Sequence, residues 1–173
     1  MKRTCFLALC LFLCSVASAQ NPKTVFLVRH AEKVSDAKDA LLSNVGKQRA
    51  MCLAGVLADA EVQNIITSDV VRTQQTAQPL ADRLHEKLKT IPAGDIDQFV
   101  TAVRGAKGNT LVVGHGDTLP RIIEQLTGKS VSIPGNAYDR LFIVTFQPET
   151  GSPVLLHYCT TGNPEPQEHK MVR

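Results

Sequence analysis

The sequence contains no tryptophan and only two tyrosines and six phenylalanines among its 173 residues. Proteins that bind single-stranded nucleic acid stack the bases on aromatic side chains, so this scarcity argues against that class. No repeat of fixed period is visible, which excludes solenoids and propellers. Apolar residues make up 43% of the chain and charged residues 20%. Such a composition is typical of one soluble globular domain.

An apolar run long enough to cross a membrane is also missing. The run Cys5–Cys14 has ten residues, which is too short for a transmembrane helix. It follows the basic pair Lys2 and Arg3 and precedes Ala17-Ser18-Ala19, a small-x-small cleavage pattern. We therefore predict that residues 1–19 are a signal peptide and that the mature protein is secreted or periplasmic, without stable membrane insertion. The alternative is a buried N-terminal helix.

Removal of this segment changes both the charge and the cysteine content. Loss of Lys2 and Arg3 lowers the formal net charge from +3 to +1, so the charge predicts no nucleic-acid partner. Two of the five cysteines, Cys52 and Cys159, remain. An oxidising compartment permits a disulfide between them, and two buried thiols fit the sequence equally well. Two such distant cysteines do not form a cysteine-rich zinc site. No oligomeric state is indicated.

Apolar runs alternate with helical patterns over residues 20–161, the predicted domain, and residues 162–173 are predicted to form a tail. The order β-α-β-α favours an α/β fold with a mostly parallel sheet and helices on both faces. The short link between the last two strands favours an antiparallel hairpin. The predicted strands are Thr24–Val28, Asn64–Thr67, Leu88–Ile91, Thr110–Val113, Arg140–Phe146 and Val154–Tyr158; the predicted helices are Ser43–Ala60, Asp69–Leu84 (with Pro79 expected to bend or break it), Asp95–Ala106 and Leu119–Leu126.

Basic side chains follow three of these strands. Arg29 and His30 come after the first, Arg72 after the second, and His115 after the fourth. Because the carboxyl ends of parallel strands form one crevice, we expect these four side chains to meet. Two guanidinium groups can clamp a phosphoryl group, one histidine can attack phosphorus, and the other, when charged, can neutralise its oxygens. Taken singly, each residue has an ordinary structural explanation.

Three segments resemble motifs of the histidine phosphatase superfamily, also called phosphoglycerate-mutase-like. They are Arg29-His30-Ala31-Glu32, Ser68–Ala77 (SDVVRTQQTA) and Val112–Thr118 (VVGHGDT). The resemblance implies a three-layer α/β/α sandwich and phosphoryl transfer without a metal or other cofactor. It implies that His30 becomes phosphohistidine and that Arg29, Arg72 and His115 bind the phosphate of a small substrate. With no long insertion, the chain is similar to the small, uncapped phosphatases.

The general acid is less well defined by the resemblance. Larger members of the family carry a glutamate after the third strand, where this chain has none. Asp117 is the leading choice for the general acid; the alternative is that Asp117 only caps the next helix. Glu32 is the second choice; the alternative is that Glu32 orients His30 or an arginine. Glu32 is also predicted to contact the substrate. A phosphoramidate leaves with little help, so the enzyme could also work without a strong acid.

Three other functions compete with a phosphatase. A zinc hydrolase would use His30, His115, Asp117 and His157 as ligands, but two arginines in the same crevice would repel the cation. A non-catalytic module would bind a phosphorylated ligand without turnover. A mutase would need a more enclosed site, and export also disfavours it.

Overall fold

A computed structural model describes residues 22–146 and 151–160. The predicted signal peptide, residues 1–19, and the predicted tail, residues 162–173, lie outside the described residues. Within the described ranges, no helix is long and apolar enough to cross a membrane. The elements are β1 (Lys23–Arg29), α1 (Asn44–Val56), β2 (Val62–Ser68), α2 (Val71–Leu84), β3 (Leu88–Ile91), α3 (Ile96–Gly105), β4 (Asn109–Gly114), α4 (Thr118–Thr127), β5 (Arg140–Phe146) and β6 (Val154–His157).

The strands form one sheet in the order β3-β2-β4-β1-β5-β6. The first four strands of that order run parallel, while β5 is antiparallel to β1 and β6 is antiparallel to β5. The predicted α/β class, the mostly parallel sheet and the terminal antiparallel hairpin are therefore confirmed. Since β1, β2 and β4 are adjacent and parallel, their carboxyl ends lie at one edge of the sheet.

The sheet is covered on both faces, and alternate residues of each strand supply the two cores. In β1, Val25 and Leu27 pack with α3 and α4, whereas Phe26 and Val28 pack with α1 and α2. This alternation follows from the period of two in a strand. Both faces of the central strands are thus apolar, as expected for parallel strands between two helical layers. Rigid, buried strands then fix the residues that follow them.

The helix boundaries follow local capping chemistry. The Ser43 side chain accepts a hydrogen bond from the backbone of Gly46, and Asp95 accepts one from Gln98, as N-cap residues do. Two helix boundaries differ from the predictions by two or more residues. Helix α2 begins at Val71 instead of Asp69, and Pro79 lies inside it without breaking it. Helix α1 ends at Val56 instead of Ala60.

A disulfide joins Cys52 of α1 to Cys159, just after β6, with their Cα atoms 6.2 Å apart. Of the two alternatives left open by the sequence, the structure has the bonded one. Cys159 has a φ of 51°, a left-handed conformation uncommon for a residue with a side chain. The bond therefore fixes the end of the hairpin on the helix that packs behind β1.

Candidate active site

His30 directly follows β1 and is buried, with 3% of its surface exposed. Its backbone N–H donates to the carbonyl of Gly114 at 2.9 Å, which extends the pairing of β1 with β4. Its ring Nδ1 lies 2.8 Å from the carbonyl of Ala31. A carbonyl only accepts, so Nδ1 carries the proton and Nε2 keeps its lone pair. The ring is thereby held in the tautomer that a nucleophile at Nε2 requires.

The surroundings of His30 also keep it uncharged. Burial lowers the pKa of His30 to about 4, and the positive charges of Arg72, His115 and Arg29 act in the same direction. The hydrogen bond to Ala31 only partly opposes them. At neutral pH the imidazole is therefore neutral, the form that can attack an electrophile.

His115 follows β4 and lies beside His30, with 5.4 Å between the ring centres. Arg72 Nη2 lies 3.3 Å from His115 Nδ1. Since a guanidinium only donates, Nδ1 accepts and Nε2 donates to Ser68 Oγ at 2.9 Å. Burial and the charge of Arg72 lower the pKa of His115. The lowered pKa disfavours the charged form of His115 in the anion-free site, because nearby guanidinium groups oppose a further cation. The charged His115 expected beside a bound phosphoryl group stays a prediction.

The two predicted arginines belong to different elements, and both lie close enough to His30 to lower its pKa. Arg72, in the first turn of α2, donates from Nη1 to the carbonyl of Lys38 at 2.7 Å. Arg29, at the end of β1, donates from Nη1 to the carbonyl of Gly135 at 2.7 Å and to that of Pro134 at 3.3 Å. Each arginine therefore fixes one loop through Nη1.

The remaining guanidinium nitrogens lack an anionic partner. The Nε atoms of Arg29 and Arg72 are buried without a hydrogen-bond partner. Within residues 22–146 and 151–160, no carboxylate lies within 4.0 Å of either guanidinium group. Buried donors without acceptors are costly. An oxyanion would satisfy both arginines and is the ligand that this geometry favours.

The two acid choices have different surroundings. Asp117 is exposed at the start of α4 and makes no side-chain capping hydrogen bond, so the capping role is not observed. Its negative charge nevertheless acts on His115, whose pKa it tends to raise. Glu32 accepts hydrogen bonds from Arg49 Nε and Nη2 at 2.6–3.0 Å. Burial alone would raise the pKa of Glu32, but the bonds from Arg49 hold it below its usual value.

Two residues near the site were missed in the sequence. Tyr138 stacks on Arg29, whose Cζ lies 4.4 Å from the ring centre, and its ring centre is 6.0 Å from that of His30. Arg49 is buried between Glu32 and the end of the hairpin. The signal for Arg49 was an arginine among the buried positions of α1, next to Ala50 and one turn before Leu53. Tyr138 gave no signal, because its place depends on the path of a loop.

The other predicted ligands do not gather around His30. His157 pairs with Asp139 at 2.8 Å. Across the described ranges, no group of three or more histidine, cysteine, aspartate or glutamate side chains could hold a metal ion.

A cavity of about 640 Å³ lies beside Arg72 and is lined by Lys38, Asp39, Asp69, Val70, Val71 and Ala93. A larger cavity, about 910 Å³, lies beside the edge strand β3 and involves none of the four basic residues.

Comparison with known proteins adds the family. A sequence model of the histidine phosphatase superfamily (branch 1) matches residues 25–95, the part that includes Arg29, His30 and Arg72. This match agrees with the resemblance that the three motifs predict. A probable phosphoglycerate mutase GpmB of Yersinia enterocolitica is 41% identical over 75 residues, 39% of this chain. The match spans only 35% of that relative's length.

Solved structures of histidine phosphatases share the fold. The protein histidine phosphatase SixA complexed with tungstate has a TM-score of 0.66 and 18% identity, over 78% of this chain and 96% of that one. A putative phosphohistidine phosphatase SixA from Agrobacterium tumefaciens has a TM-score of 0.62 and 19% identity, over 81% and 99% of the two chains. These likenesses confirm the histidine phosphatase fold.

Proposed function

We propose that this protein is an exported, metal-independent phosphatase that hydrolyses phosphomonoesters or phosphoramidates through a phosphohistidine at His30. The observation that carries the proposal is the pair of buried, unpartnered Nε atoms on Arg29 and Arg72, beside a neutral histidine. Uncompensated donors around a nucleophile suit a dianionic phosphoryl group. The SixA structure with tungstate, another tetrahedral oxyanion, is consistent with this use of the fold.

The proposed reaction has two steps. His30 Nε2 attacks phosphorus, the N–P bond forms, and the bond to the leaving oxygen or nitrogen breaks with its electron pair, which takes up a proton. Water then attacks the phosphohistidine, and the N–P bond breaks to release phosphate and restore neutral His30. Arg29 and Arg72 stabilise the charge on the phosphoryl oxygens in both transition states. Binding of the dianion raises the pKa of His115, so that it can share this role.

Asp117 is the proposed proton donor, because Glu32 is engaged by Arg49 while Asp117 has no hydrogen-bond partner in the described residues. General acid catalysis is worth about 10²- to 10⁴-fold for a poor leaving group. We therefore expect Asp117→Asn to slow hydrolysis of an alkyl phosphate by about 10²-fold and that of p-nitrophenyl phosphate far less. Asp59→Asn is the matched control, because Asp59 is exposed in the turn between α1 and β2, at the opposite end of the strands. Equal losses on both substrates would refute the assignment.

The intermediate is the direct test of the phosphatase proposal. Rapid quench with ³²P-labelled substrate should trap an acid-labile, alkali-stable label on the mature wild-type chain and none on His30→Asn. His85→Asn is the control, since His85 is an exposed residue at the end of α2 and should label normally. Activity and labelling should survive EDTA. A folded wild type that binds phosphate but neither labels nor turns over would identify a binding module, and loss with EDTA followed by rescue with zinc would identify a metal hydrolase.

The choice between phosphatase and mutase is set by the acceptor. A site without a long covering insertion admits water, whereas a mutase must return the phosphoryl group to the substrate. Incubation of the labelled enzyme with a phosphoglycerate should release inorganic phosphate. Transfer of the label to the glycerate instead would favour a mutase, the activity named for the Yersinia relative.

Export is supported by the disulfide between Cys52 and Cys159, because such bonds persist in oxidising compartments. If residues 1–19 are a signal peptide, mass spectrometry of the protein purified from a bacterial periplasm will show Gln20 as the first residue. Retention of Met1 in a cytosolic fraction would contradict export and leave the phosphatase proposal standing.

A further inference from the structure

The disulfide lies close to the segment that carries the nucleophile. Cys52 is on α1, one turn after Arg49, and its partner Cys159 follows the hairpin. Arg49 Nη1 donates to the carbonyls of Cys159 at 2.9 Å and Tyr158 at 3.3 Å. The disulfide thus holds two backbone acceptors against a buried arginine that is 7% exposed.

Arg49 uses its other nitrogens on Glu32. Nε lies 2.9 and 3.0 Å from the two carboxylate oxygens, and Nη2 lies 2.6 Å from one of them. A guanidinium group is planar, so its three nitrogens move together. The position of Glu32 is therefore coupled to that of the Tyr158 and Cys159 carbonyls, and loss of one set of acceptors shifts the other.

Glu32 is two residues after His30, and the segment between them is fixed at each residue. The His30 ring donates to Ala31, the Ala31 N–H donates to Thr76 Oγ1 at 3.0 Å, and the Glu32 carbonyl accepts from Ser43 at 2.9 Å. Packing there is close enough that a Cβ added at Gly46 would overlap the Glu32 carbonyl oxygen. A shift of Glu32 is thus transmitted to the acceptor that orients the imidazole.

We propose that the Cys52–Cys159 disulfide, acting through Arg49 as a positioning residue, holds the segment His30–Glu32 so that the imidazole is aimed at phosphorus. This inference rests on the proposed function. Reduction by a dithiol cleaves the S–S bond: the two cysteine sulfurs gain two electrons and two protons, and the dithiol becomes a disulfide. The hairpin end then leaves Arg49, and phosphoryl transfer slows while the phosphate-binding arginines stay in place.

The test compares oxidised enzyme, enzyme reduced with dithiothreitol, and the double variant Cys52→Ser, Cys159→Ser, well below their unfolding temperatures. The kcat for p-nitrophenyl phosphate should fall by roughly tenfold in the last two, since small misplacement of a reacting group slows a reaction strongly. The Kd for inorganic phosphate should change by less than about twofold, as neither Arg29 nor Arg72 is altered. Reductant should have no effect on the double variant. Unchanged kcat would overturn the proposal.

A readout independent of turnover separates this inference from the phosphatase proposal. The ¹⁵N NMR titration of the His30 ring reports its burial and its contacts with the charges of Arg29, Arg72 and His115. Loosening of the segment hydrates the ring, so the pKa of His30 should rise from about 4 on reduction. If the pKa of His30 changes on reduction in an enzyme that shows no turnover, the coupling proposal stands and the phosphatase proposal is refuted. Identical titrations in both redox states would refute the coupling.

Arg49→Lys keeps the disulfide and the positive charge but cannot contact Glu32 and both carbonyls with a planar fork. It should reproduce the fall in kcat and the rise in the His30 pKa even if the reduced protein is too unstable to assay. Wild-type kcat and titration in Arg49→Lys would show that the disulfide only stabilises the fold. An Arg49→Lys chain that fails to fold would overturn the proposal as well, because Arg49 would then be required for folding and not for positioning His30.

Discussion

Two neighbouring regions of this molecule contain arginines that differ in whether their guanidinium groups have acceptors. Behind the nucleophile, Arg49 is matched by the Glu32 carboxylate and two backbone carbonyls. In front of it, Arg29 and Arg72 have buried Nε atoms without acceptors, and the adjacent histidines have lowered pKa values. An arginine whose charge is paired, such as Arg49, stabilises the fold. Arginines whose buried donors have no acceptor cost stability, and a bound anion would supply the missing acceptors.

The largest expected effect comes from removing an uncompensated charge. Arg72→Met should lower kcat/KM for p-nitrophenyl phosphate by about 10²- to 10³-fold, the usual loss for one transition-state donor. The same change should leave the unfolding temperature unchanged or higher, because no carboxylate loses a partner in the described part of the chain. Activity assays and thermal unfolding of the one variant check both halves. A large fall in stability would break the comparison.

The second effect is a loss of stability in acid. The pKa of His30 is about 4 in the folded protein and about 6.5 when unfolded. A lowered pKa means that the unfolded chain binds the proton more readily. The free energy of unfolding is therefore not reduced by His30 above pH 6.5. It falls as the pH drops towards 4, by about 3 kcal/mol at most.

Urea unfolding of the phosphate-free protein at pH 7 and pH 4 measures this effect. His30→Asn is the control, since it keeps every other titrating group. The wild type should lose more stability than the variant between the two pH values. Parallel losses would mean that the histidine is not buried in a cationic setting.

The smallest effect is expected in the region around Arg49. Arg49→Met leaves the partly buried Glu32 carboxylate without its partner, and should lower the free energy of unfolding by about 2 kcal/mol, less than for a fully buried pair. Adding Glu32→Leu should recover part of that loss, because the unpaired charge is gone. Unfolding of both single variants and the double variant gives the coupling energy. Additive losses would show that the pair is not coupled.

Much of the fold and the centre of the site could be predicted from the sequence, for a simple physical reason. Buried strands are short apolar runs, and the carboxyl ends of parallel strands lie at one edge of the sheet. Residues 29, 30, 72 and 115 were therefore expected together, and they lie close to one another. Helix ends with side-chain caps, such as Ser43, were predicted within a residue.

The remainder depends on contacts between distant segments. Strand β2 begins at Val62, two residues before its predicted start, because Val62 pairs with Asn109 across an irregular register. The partner of Glu32 lies 17 residues along the chain, on another element. The protonation of His115 depends on burial and on Arg72. Sequence shows which groups are present, but it does not show which of them are desolvated together.

The way in which Arg29 and Arg72 hold their loops has an evolutionary consequence. Both loops are anchored by main-chain carbonyls, those of Lys38 and of Pro134 and Gly135, and every amino acid supplies a carbonyl. Side chains in the two loops can therefore diversify without releasing either guanidinium group. The side chains of the two loops can thus change while the arginines and histidines of the site keep their positions. We therefore expect that exchanging these loops between relatives will alter substrate selectivity.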